Sequence, residues 1–127
     1  MKLMTKELEK EFEKYPIGSQ DGNPSEAIVI AKYFNPIGAG YWFITEGSKM
    51  ENGDWEMYGF AHLGYDDCAE LGYVLLSDLE NIRLPYGMGI ERDLYLKKGI
   101  TLKDALEECG LKAPSYWNES ESSLEED

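Results

Sequence analysis

His62, Asp66, Asp67, Cys68 and Glu70 lie close together in the chain and include side chains that could bind a metal ion or activate a thiol. Metal sites need ligands at spacings set by their local backbone, and a catalytic thiol needs a base within hydrogen-bond reach. The HLGYDDCAE pattern matches neither a zinc-ligand spacing nor a known nucleophile motif. His62, the chain's one histidine, reads as a strand-end residue and Cys68 as a small buried one. No metal and no cofactor are expected.

Two further clusters lie between residues 84 and 95. Gly87-Met88-Gly89 begins like a dinucleotide fingerprint, but the third glycine position is Arg92 and the following residues do not open a helix. The glycines are therefore expected to allow a bend. Glu91, Arg92, Asp93 and Tyr95 form a possible ligand or structural cluster. If residues 90–97 form a strand, Arg92 falls among Ile90, Leu94 and Leu96 on the apolar side. A guanidinium there cannot lose its charge and needs a carboxylate or several carbonyl acceptors, so it must pair internally, with Glu80 or another acid, or meet an anionic ligand.

The third chemical feature is charge. The chain has 127 residues and a formal net charge of −13, unevenly distributed. Residues 45–82 carry nine acids against one lysine, whereas residues 83–103 carry five bases against two acids. Such a molecule lacks the basic face that duplex DNA requires. Glu46, Glu51, Asp54, Glu56, Asp66, Asp67 and Glu70 are instead the expected contact residues for a basic protein. The alternative is a solvated face that confers solubility. Carboxylates at every second strand position repeat about every 6.7 Å, against one charge per about 1.7 Å along B-DNA. Mimicry of a duplex would therefore require acids from loops and helices as well.

The elements that place these groups follow from periodicity and turn chemistry. Thr5 caps a helix with Leu8, Phe12 and Tyr15 on one side, ending before Pro16. Residues 21–25, DGNPS, form a loop. Strands are expected at 27–34 and 41–46, then a tight Asn52-Gly53 turn, a third strand from Trp55, and a fourth at 71–76. In the third strand Trp55, Met57 and Gly59 face the core, while Asp54, Glu56 and Tyr58 face outward. Ser77 and Glu80 have capping-box spacing for a short helix to Arg83. A strand is expected over 90–97, and a last helix runs from Thr101 to a Gly110 stop. The sum is one α+β domain over 1–114, with a mainly antiparallel sheet of about five strands and three short flanking helices. An acidic, disordered tail is expected over 115–127.

The apolar stretches are too short to cross a bilayer, and MKLMTKELEKEFEK lacks the apolar core of a leader. Cys68 and Cys109 occur in no CxxC spacing and read as reduced thiols. A cytoplasmic protein without membrane contact is expected.

The segments IVIAKYFNP, YWFITEG, ELGYVLLSDLENIRLP and GIERDLYLKKGITLKDAL resemble the uncharacterised family called domain of unknown function 2958, over about residues 25–106. Glu91 to Tyr95, with Tyr73, Ser77 and Leu79, are the most family-like positions. The resemblance implies a small protein of phages, plasmids and other mobile elements, and assigns no catalytic residue. The expectation is a non-enzymatic acidic protein-binding domain that inhibits a nucleic-acid-handling host defence protein. The alternative is a small-ligand-binding protein or enzyme with an anion pocket around Arg92.

Overall fold

The computed structural model describes residues 1–65 and 68–117. Thr5 accepts from the Leu8 amide and starts α1 (Lys6–Lys14), which buries Leu8 and Phe12. Four strands follow: β1 (Ala31–Phe34), β2 (Tyr41–Lys49), β3 (Trp55–His62) and β4 (Ala69–Leu75). After α2 (Leu76–Glu80) comes the two-residue β5 (Glu91–Arg92), then α3 (Leu102–Glu108). The strands form one antiparallel sheet in the order β4-β3-β2-β1-β5, giving the expected α+β class.

Alternation divides the core in two. On one sheet face Ala31, Tyr33, Ile44, Trp55 and Met57 pack under α1 and α2. On the other, Phe43 and Phe60 pack under Leu102, Ala105 and Leu106 of α3. Gly47 lets α1 lie close to the sheet: a Cβ there would stand 2.8 Å from the Phe12 ring. Gly59 meets a tighter limit, since a Cβ would stand 2.0 Å from the Phe43 carbonyl oxygen.

Several local expectations are corrected. Asn52 does not take positive φ; Gly53 alone does (+89°), and the Asn52 side chain accepts from the Asp54 amide. The turn is therefore a longer loop than the two-residue hairpin that Asn-Gly suggests. Ser77 does not cap α2, whose N-cap is Leu75 with no side-chain bond. Its hydroxyl donates to Asp54 instead, across 23 residues of sequence. The strand expected over 90–97 ends at Arg92, because Asp93 accepts from the Tyr95 amide at 2.8 Å and turns the chain out of the sheet. The tail boundary also moves, since Trp117 is 1% exposed and sits edge-on to Phe60 at 5.2 Å. Residues 118–127 lie outside the described residues.

Thr101 and Gly110 behave as expected. Thr101 caps α3 by accepting from Asp104, and Gly110 takes φ +70°. The Gly110 and Leu111 amides donate to the Glu107 and Leu106 carbonyls, a Schellman end.

Candidate functional site

The seven acids expected on one surface do not share one. The β2–β3 register shifts between Ile44 and Glu46, a bulge that sets Glu46 opposite Tyr58 instead of Met57, on the face where the loop after α1 covers it. Glu46 is 2% exposed and accepts from the Gly18 amide at 2.7 Å and the Gln20 amide at 2.9 Å. Its charge therefore anchors the loop after α1 and is not available to a partner. Asp54 is similarly occupied, accepting from the Trp55 and Ser77 amides and from the Ser77 hydroxyl. The hydroxyl bond leads the causes that hold the Asp54 carboxyl below its ordinary range. Glu51 is exposed at the hairpin tip. Glu56 pairs with Leu75 and Glu70 with Ala61, placing these two acids on opposite sheet faces. Asp66 and Asp67 lie outside the described residues.

What the sheet gathers instead is tyrosine. Tyr58 of β3 stands opposite Tyr73 of β4, with ring centroids 4.9 Å apart. Tyr73 is 65% exposed, and both rings share a face with Glu56 at the end of the sheet away from Phe60 and its Trp117 cover. The Tyr58 phenol is held above its ordinary pKa, first by burial and then by Tyr73, the carboxylates of Glu46 and Asp21, and Tyr116. Tyr58, Tyr73 and Glu56 make an aromatic patch with a carboxylate beside it. β4 is an edge strand with no further strand beside it among the described residues.

Sequence alternation had already put Tyr58 on the outward face with Glu56. It could not place Tyr73 opposite, because that requires the β3–β4 register.

The Arg92 cluster separates as well. Arg92 stands opposite Tyr33 in the β1–β5 ladder, on the α1 side of the sheet, whereas Glu91 stands opposite Phe34 on the other. The Arg92 Nε donates to the Lys2 carbonyl at 3.4 Å, and no ion pair joins Arg92 to Glu80 or any other acid among the described residues. Of the expected internal partners, an acid is absent among the described residues and one carbonyl, that of Lys2, is present. Asp93 pairs with Lys32 at 3.3 Å, while Tyr95 is 90% exposed. The Lys32 ammonium also lies over the Tyr41 and Phe43 rings. Burial alone would lower its pKa, but the Cys109 sulfur and the Asp93 carboxylate outweigh that and raise it.

His62 ends β3, as expected, and is buried with its Nδ1 accepting from the Gly64 amide at 3.3 Å. Cys68, expected to be buried, is exposed, and both cysteines are free. No group of three or more metal-ligating side chains occurs among the described residues. No helix among them is long and apolar enough to cross a membrane. Gly87 takes φ +71° directly after Tyr86 at +63°, making a tight turn and not the start of a helix.

No curated protein and no solved structure matches the chain. The family model described as "Protein of unknown function (DUF2958)" matches residues 3–109, most of the chain, and this protein belongs to that family.

Proposed function

We propose that this family member is a non-enzymatic protein-binding domain whose docking surface is the Tyr58–Tyr73 face of β3 and β4, and whose partner is a basic protein. The cross-strand tyrosine pair, with Tyr73 exposed over a half-buried Tyr58, carries this reading. Tyrosine offers large, rigid contact area at low entropic cost and is enriched among the residues that dominate interfaces. The neighbouring carboxylates favour arginine and lysine, which can also lie over the phenol faces. Each such contact contributes about 0.5–2 kcal/mol. The net charge of −13 adds attraction at longer range and speeds encounter.

The resemblance to small proteins of mobile elements sets the biological side of the proposal. The partner is a nucleic-acid-handling host protein, and the domain acts as its inhibitor by occupying a basic surface, in the cytoplasm. Shared use of aromatic and acidic groups, not a duplex-like row of charges, is the physical basis.

Affinity capture from host lysate tests this, with the parent protein, Tyr73→Ala and Glu107→Gln/Glu108→Gln on α3 as parallel baits. The proposal expects one captured species that elutes as salt rises, is lost with Tyr73→Ala and persists with the α3 variant. Equal capture by all three baits, or capture that ignores salt, would contradict it.

A further inference from the structure

A separate site lies on the α1 side of the sheet, where the β1 ladder is interrupted. At one end the Asp93 amide donates to Lys32; at the other the Val29 amide donates to Ile100 and the Leu102 amide to Ala27. Between these attachments residues 94–99 leave the sheet. The gap, with α1 across it, is an open groove of about 590 Å³. That volume is in the range of small-molecule sites. Leu8, Ile30, Ala31, Leu94 and Leu96 supply an apolar lining, and Arg92 stands in its wall.

The charges around the groove are mostly satisfied. Glu11 pairs with Lys14 at 3.3 Å and Lys98 at 3.8 Å, and Asp93 pairs with Lys32. Glu7 and Lys10 are one turn apart on α1, close enough to offset each other. Among the described residues the Arg92 side chain has only the Lys2 carbonyl, leaving a planar guanidinium without a counter-ion among them beside apolar surface. Such a fork matches a carboxylate in two-point geometry. A phosphate dianion fits less well, because one unpaired cation among three carboxylates cannot offset two charges.

We infer that this groove binds a small monocarboxylate with an apolar body, its carboxylate on Arg92 and its body against Leu8, Leu94 and Leu96. The site is distinct from the Tyr58–Tyr73 face, which lies on the other side of the sheet.

Methyl NMR titration of the full chain tests the assignment, using octanoate, octanol of the same chain length, and octyl phosphate as probes. Octanoate is expected to give saturable shifts at the Leu8, Leu94 and Leu96 methyls below about 10 mM, at least about fivefold tighter than either other probe. Arg92→Gln should remove that advantage and leave octanol binding unchanged. Leu94 is 58% exposed, so Leu94→Glu should keep the fold while repelling octanoate, and it decides the matter if Arg92→Gln does not fold. The assignment is overturned by equal binding of octanoate and octanol, by tighter binding of octyl phosphate, or by shifts confined to the Tyr58–Tyr73 face. Absence of saturable shifts, or octanoate binding unaffected by the variants, overturns it too.

Discussion

The Glu46 carboxylate accepts from the Gly18 amide at 2.7 Å, joining the centre of β2 to the loop after α1 across 28 residues of sequence. The same loop is held by Gln20, whose side chain bonds Ile28 and Thr45, and by Ser48, which accepts from Ile17. Glu46→Ala would strand two amides in a largely buried place, at about 1–3 kcal/mol for each group left unsatisfied. Urea unfolding should show a loss of about 2–4 kcal/mol. Glu51→Ala, at the exposed hairpin tip, should change stability by less than about 0.5 kcal/mol.

Glycine positions give a second contrast. A methyl group at Gly59 cannot fit, because the obstacle is the Phe43 backbone and not a movable side chain. At Gly72, on the neighbouring strand, nothing lies within 4 Å of the added Cβ. Gly59→Ala should therefore abolish folding or cost more than about 4 kcal/mol, while Gly72→Ala should be neutral or slightly stabilising. Thermal melts of the two variants check this.

At low pH, Asp54 should report on the tie between the hairpin loop and α2. Its folded pKa lies below the ordinary 3.8 through the Ser77 hydroxyl bond, so the contribution is present above that value and is lost as pH falls through the lower folded one. Ser77→Ala should remove this part of the acid sensitivity, visible as a smaller loss of Tm between pH 4 and pH 2 than in the parent.

At high pH the sensitive group is Tyr33, fully buried with its hydroxyl donating to the Leu3 carbonyl at 2.7 Å. Burial, opposed by Arg92 and reinforced by Glu80, raises its pKa from 10.0. The stability it contributes is complete below pH 10 and declines above it, as the unfolded chain ionises first. Tyr33→Phe should start from lower stability at pH 8, having lost a hydrogen bond, yet lose less of it by pH 11.

Much of the fold was legible because the deciding groups were local. Thr5, Thr101 and Gly110 end their helices with bonds to residues three to five positions away, and the Trp55-Met57-Gly59 alternation put the correct face of β3 inward. The failures share one cause, competition from distant partners. Ser77 had the spacing of a cap, but Asp54 took its hydroxyl. Glu46 looked like surface charge, but the Gly18 and Gln20 amides of the loop after α1 close over it. Asp93 ended β5 by accepting from Tyr95 and pairing with Lys32, neither of which alternation can reveal. The Tyr58–Tyr73 pair depended on register, which a strand pattern alone leaves open.

The most direct test of the docking face is the affinity of the purified partner for three forms of this protein. Tyr73→Ala combined with Glu56→Gln alters the proposed face at positions whose side chains do not build the core, and should weaken binding by at least about thirtyfold, the scale of an interface hot spot. Glu107→Gln/Glu108→Gln removes the same sign of charge from α3 and should weaken it by less than about threefold. Loss of affinity in the α3 variant with none in the tyrosine-face variant would contradict the account.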